Sequence, residues 1–123
     1  MYPKNKTVAR FHSDREYNPP IEEIKIWVPV TLAKKTNTIW IESQSEKADY
    51  KPINLKNGKF VIFDSGLMHG NKINKENKTR LSFDFRVIPL SMWKAKNNNK
   101  SSLDQKIKFD IGDYYKFLKY KKK

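Results

Sequence analysis

Residues 79–88, TRLSFDFRVI, alternate with period two along their length. Leu81, Phe83, Phe85 and Val87 fall on one side of an extended chain, and Arg80, Ser82, Asp84 and Arg86 on the other. A helix would scatter the same residues around its axis, so the segment reads as a strand with one apolar and one ionic face. Residues 24–31 (IKIWVPVT) alternate in the same way, with Ile24, Ile26, Val28 and Val30 opposed to Lys25, Trp27, Pro29 and Thr31. Pro29 has no N–H to give to a ladder, so it belongs at an edge or a bulge. Residues 8–14 and 38–42 (TIWIE) are further short β-rich runs. Asn57-Gly58 is a tight-turn signal that predicts a hairpin between residues 50–55 and 59–63. Six short strands separated by turns predict an all-β antiparallel sandwich or barrel rather than an α/β fold.

At 123 residues the chain reads as a single domain, 1–123, with its β core at 8–92. The remainder, 93–123, opens with a polar loop at 95–102 (AKNNNKSS). It is expected to end in a short C-terminal helix within 113–123, with Tyr114, Phe117 and Leu118 packing down and lysines trailing into solvent.

The absence of cysteine excludes disulfides, thiolate zinc sites and thiol nucleophiles. No apolar run approaches a membrane span, and MYPKNKTVAR lacks the apolar stretch of a signal peptide, so a cytoplasmic protein without a membrane partner is expected. The net charge of +13 raises the question of nucleic acid. There are 22 Lys but only 4 Arg, accompanied by 11 Asn. Surfaces built to grip phosphate draw on the planar fork of arginine. The lysine excess therefore reads as the coding bias of an AT-rich genome, and a basic nucleic-acid-binding protein is kept only as an alternative. Where arginine does occur, lysine was not an adequate substitute.

The chemistry concentrates in His12-Ser13-Asp14 and His69, the latter in a Gly66…Gly70 segment just past the apolar run at 60–63. In an extended chain the imidazole of His12 and the carboxylate of Asp14 point the same way. Two neutral imidazoles and one carboxylate make the facial triad that suits Fe(II) and leaves three positions open. Eleven residues after His69 come Arg80 and Ser82, a guanidinium and a hydroxyl at i and i+2 that can seat a carboxylate.

The stretches FHSDREYN, TNTIWIES, FDSGLMHGNKIN and TRLSFDFRVIP, and the late FDIGDYY, resemble Fe(II)/2-oxoglutarate-dependent oxygenases of the phytanoyl-CoA dioxygenase-like group. The resemblance is nearest to oxygenases of streptomycin-type and other carbohydrate biosynthetic clusters, and it runs from about Arg10 to Tyr115. It implies a double-stranded β-helix (jelly roll, cupin-like) with iron held by His12, Asp14 and His69. It further implies 2-oxoglutarate as co-substrate, held at its far carboxylate by Arg80 and Ser82, with Asn37 of the TNTIW motif supplying an amide nearby. A carboxylate at Asp14, where halogenating relatives carry a small residue, implies hydroxylation or a related oxidation of a small molecule. If Arg80 and Ser82 face the interior, so do Asp84 and Arg86, which are then candidates for an ion pair at the substrate end of the pocket. Leu81, Phe83, Phe85 and Val87 would pack outward against the other sheet.

Family members carry strands and helices before the His-x-Asp strand, and here little chain precedes His12. The expected jelly roll is thus incomplete at its N-terminus, with an open edge and exposed apolar surface that a second chain or copy could cover. An inactive or partial cupin-like metal-binding fragment is accordingly the first alternative to an oxygenase.

Overall fold

In the computed structural model, residues 1–3, 10–17, 19–93 and 114–118 are described. The period-two segments become strands: β1 (Ile24–Pro29), β2 (Ile39–Ile41), β3 (Lys51–Pro52), β4 (Val61–Asp64), β5 (His69–Asn71) and β6 (Ser82–Val87). They form two three-stranded sheets, β4-β1-β6 and β3-β2-β5, and every named pairing is antiparallel. Among the described residues the only helical pieces are three short 3₁₀ turns. The described residues are thus all-β, consistent with a cupin-like fold.

The sheets meet through Trp27 of β1, Ile39 and Ile41 of β2, Phe63 of β4 and Ala33, with Ile53, Leu55, Val61 and Leu67 packed around them. This apolar core is small, and the buried polar set is larger: Asp14, Glu23, Lys25, Asn37, His69 and Arg80 are among its members. Ionic groups are buried only where something pairs or binds them, so the polar interior already marks a site.

Alternation identified the two faces of β6 but not what covers each of them. Arg80, Ser82, Asp84 and Arg86 do turn inward, where they border one cavity. Phe83 and Phe85 point outward as expected, yet they are 53% and 43% exposed instead of packed on the other sheet. That sheet lies on the ionic side. On β1 likewise the buried positions are Lys25, Trp27 and Pro29, while Ile24, Ile26 and Val28 are half-buried on the outside. Ile62 of β4, at 56% exposure, and Phe60 just before that strand extend the exposed apolar surface.

The expected hairpin is corrected. Asn57-Gly58 does turn, with Lys59 N–H bonding to Lys56 C=O and Gly58 at φ +81°. The turn, however, carries the chain from one sheet to the other. Residues 50–55 are already engaged, since β3 pairs with β2 and Leu55 exchanges backbone hydrogen bonds with Ala33. Residues 61–64 instead pair with the free side of β1.

Three further expectations meet the structure differently. Pro29 ends β1, a central strand. Val30 N–H goes to Leu81 on the β6 side, so the Pro29 nitrogen faces the β4 side, where pairing has already ended at Trp27–Val61. The expected strand at 8–14 is a single bridge at His12 followed by a 3₁₀ turn (Asp14–Tyr17), with residues 8 and 9 outside the described set. The C-terminal helix is not found in residues 114–118, which make a turn and a bridge. There the Tyr115 hydroxyl is drawn to the Glu23 carboxylate and its ring to Trp93, at 5.6 Å between centroids. The loop at 95–102 and residues 113 and 119–123 lie outside the described residues. Among the described residues no helix is long and apolar enough to cross a membrane.

Candidate metal centre

His12 and His69, distant in sequence, are locked together by a backbone bridge: each N–H donates to the other's C=O at 2.9 Å. Close approach here depends on Gly70, because a Cβ at that position would lie 2.7 Å from Phe11 Cα and 2.8 Å from its nitrogen. Asp14 is anchored separately, its N–H bonding to Ser65 C=O at 3.0 Å. The sharp turn there, rather than simple extension, brings its carboxylate back toward His12.

The ring orientations follow from their outer hydrogen bonds. His12 Nδ1 lies 2.7 Å from Arg10 C=O, and His69 Nδ1 lies 2.7 Å from Leu67 C=O. A carbonyl only accepts, so each Nδ1 carries a hydrogen and, in the neutral ring, each Nε2 presents its lone pair to the centre. Both Nε2 atoms stand 3.4 Å from Asp14 Oδ1. The three ligand atoms lie within 4.8 Å of one another. Two donors cis to each other, each about 2.1 Å from an ion, stand about 3 Å apart. The donor set and its spacing can therefore hold a metal ion.

The other oxygen of Asp14 is occupied by Arg86, whose Nε and Nη2 donate to Oδ2 at 3.1 and 2.9 Å. Arg86 Nε also stands 3.3 Å from Glu23 Oε1, and Nη1 is 3.7 Å from Asp84 Oδ1. The sequence anticipated an Arg86–Asp84 pair; the stronger partner is Asp14. Burial pushes the Asp14 carboxyl up, but the His12 and His69 rings beside it and the charges of Lys25 and Arg86 outweigh it and hold the group far below the usual carboxylate range. The Asp14 carboxylate beside it, outweighing burial, raises His12 above the ordinary imidazole value.

One residue at the centre was not anticipated. Lys25, 3% exposed, places Nζ 3.0 Å from His69 Nε2, 3.2 Å from Asp14 Oδ2 and 3.3 Å from Asp84 Oδ2. Its only signal in sequence was a cation in phase with Trp27 on β1, and with so many lysines in the chain it did not stand out.

Arg80 and Ser82 border the same cavity as His12 and His69, about 450 Å³ in volume. Arg80 is 5% exposed, its guanidinium 5.3 Å from the Trp27 ring centre. Nη1 donates to Asn37 C=O at 3.2 Å, while Nε has no hydrogen-bond partner among the described residues. Burial lowers the Arg80 pKa, and no carboxylate among the described residues pairs with the group. Asn37 thus reaches the site through its backbone. Its side-chain Oδ1 accepts from Lys34 N–H at 2.7 Å, and its amide turns to Leu32 C=O.

Fold and site together define an all-β domain with a buried His–Asp–His group able to hold a metal ion. No protein-family model matches the chain. It is similar to the streptomycin biosynthesis protein StrG of Streptomyces griseus, with 32% identity over 109 residues. The matched region covers 88% of this chain and 50% of that protein, so the chain spans about half the length of the curated relative it matches.

Proposed function

We propose that this chain carries the catalytic centre of an Fe(II)/2-oxoglutarate-dependent oxygenase of jelly-roll type. Its substrate would be a small molecule such as a carbohydrate derivative, in a biosynthetic route like that named for its relative. The observation that carries this reading is Arg80, a buried guanidinium whose Nε has no partner among the described residues, sharing a cavity with His12 and His69 of the His12–Asp14–His69 group. A buried cation without a counter-ion is unfavourable unless a ligand supplies the anion.

His12 Nε2, Asp14 Oδ1 and His69 Nε2 would hold the iron, and Arg80 with Ser82 would hold the far carboxylate of 2-oxoglutarate. When bound, these groups couple decarboxylation of the co-substrate to succinate with two-electron oxidation of a substrate by dioxygen. The chain's own residues need only bind and orient. The carbonyls of Arg10 and Leu67 fix the two imidazoles, and Arg86 turns Asp14 Oδ2 away from the centre. Trp27 and Ile39 wall the cavity, and Asp84 and Arg86, which also border it, would stand at the substrate end.

The test is iron-dependent succinate release from 2-oxoglutarate, lost in His69→Ala and in Arg80→Ala. Arg80→Met adds a readout independent of turnover. 2-Oxoglutarate should raise the melting temperature of the iron-loaded wild type and leave that of Arg80→Met unchanged. Equal stabilisation of both would overturn the assignment of Arg80. The Lys25 ammonium against His69 favours a second reading, a cupin-like binding module without turnover. Ion binding without succinate release distinguishes it.

A further inference from the structure

Lys25 sits inside the sandwich because β1 turns positions 25, 27 and 29 toward the second sheet. A buried ammonium is tolerated only when its donors are met. Three groups surround it at 3.0–3.4 Å: His69 Nε2, the Asp14 carboxylate and Asp84 Oδ2. His69 Nδ1–H is committed to Leu67 C=O, so the bond from Lys25 uses the single lone pair on Nε2. That lone pair can accept from Lys25 or ligate a metal ion, not both.

We propose that Lys25 is the resident cation of this centre and sets its metal affinity, ceding His69 and withdrawing to Asp84 when a divalent ion enters. The proposal rests on the reading of His12, Asp14 and His69 as metal ligands and adds to it a residue that opposes loading. Asp84 suits the role of alternative partner. It is already within 3.3 Å of the ammonium, its side chain is 36% exposed, and it lies on β6, the direct neighbour of β1. The flexible four-carbon stem of lysine allows a shift between adjacent acceptors. Charge points the same way. Asp14, Asp84 and Glu23 face Lys25 and Arg86, a formal balance of one negative charge. Replacing Lys25 by a neutral side chain would make that balance two negative charges, matching a divalent ion.

The experiment is anaerobic calorimetric titration with Fe(II), repeated with Mn(II), on the full chain. The variants are Lys25→Met, Asp84→Asn, the double variant and His69→Ala. Lys25→Met is expected to bind at least tenfold more tightly than wild type. Asp84→Asn should bind more weakly, because the ammonium then lacks its second carboxylate. In the Lys25→Met background the effect of Asp84→Asn should vanish. Unchanged or weaker binding by Lys25→Met overturns the proposal, as does an Asp84→Asn effect of equal size in both backgrounds. The latter would show Asp84 acting on the ion directly. Should Lys25→Met not fold, Lys25→Gln removes the charge while keeping a donor, and tighter binding is again required. Failure of the underlying reading looks different: wild type and His69→Ala would then take up the ions equally poorly.

Discussion

Arg86 and Asp14, 72 residues apart, are joined through two hydrogen bonds to one carboxylate oxygen, from Nε at 3.1 Å and from Nη2 at 2.9 Å. The pairing leaves Asp14 Oδ1 facing both imidazoles. Arg86 thereby orients a candidate ligand without occupying the metal position. Arg86→Lys, which keeps the charge but loses the planar fork, is expected to weaken Fe(II) binding tenfold or more. Arg86→Ala should also destabilise the fold, toward the low end of the roughly 3–5 kcal/mol seen when a buried pair loses one partner, because Arg86 is a quarter exposed. Calorimetry and urea denaturation measure the two effects. Unaltered ion binding in Arg86→Lys would show that Asp14 holds its position unaided.

Gly70 lets the Arg10–Phe11 backbone pass directly over β5. Gly70→Ala sets a methyl group against backbone that cannot yield, so the His12–His69 bridge must part. A stability loss of about 1–3 kcal/mol is expected, together with loss of ion binding. Gly58→Ala is the control: φ is +81° there but nothing lies within 4 Å of the added methyl. It should cost about 1 kcal/mol of backbone strain and leave ion affinity unchanged. Equal damage to ion binding by both variants would refute the packing argument.

Burial raises the Glu23 carboxyl above its ordinary value, against the opposing effects of the Tyr115 hydroxyl and the Arg86 charge. A carboxyl whose folded pKa is raised binds more protons in the native state than in the unfolded one across the interval between the two values. Stability from this group therefore falls as pH rises through that interval, from about 4.3 upward, and levels off above it. Glu23→Gln lacks the slope, so its stability relative to wild type should climb over the same interval. Urea melts of both proteins between about pH 4 and pH 8 give the comparison, and a flat or falling difference would contradict it.

The outer face of sheet β4-β1-β6 carries Ile62, Ile26 and Phe85 in one row across three strands. Despite the abundance of lysine, none occurs among positions 24, 26, 28, 60, 62, 83, 85 and 87 of that face. Ile62→Thr with Phe85→Thr keeps β propensity while removing apolar surface. The double variant should lose less than about 1 kcal/mol of stability and bind markedly less of a hydrophobic dye than wild type. A conversion from dimer to monomer in sedimentation would place a second copy on this face. Unfolding would instead show that the residues are buried in solution.

Much of the site could be read locally. A two-residue step puts Arg80, Ser82, Asp84 and Arg86 on one side of a strand whatever the rest of the chain does, and the structure gathers them at one cavity with His12 and His69. Asn37 was legible only as a motif. Its contribution to the site is a backbone carbonyl held out to Arg80, a group that every residue possesses and no side-chain pattern reveals.

By itself, then, the sequence determined the period of each strand, the division of its residues between two faces, and the one histidine pair and His-x-Asp spacing from which a metal centre can be built. Tertiary structure alone decided which face would be enclosed and which strands would pair, moving residues 61–64 from a hairpin to the flank of β1 and leaving Phe83 and Phe85 outside. It also decided that Lys25 would stand at the centre and that Arg86 would grip Asp14. The physical reason is one of range. Backbone sterics and side-chain alternation act over a few residues, whereas strand partners and buried ion pairs are selected by contacts between segments tens of residues apart, each worth having only once the others have formed.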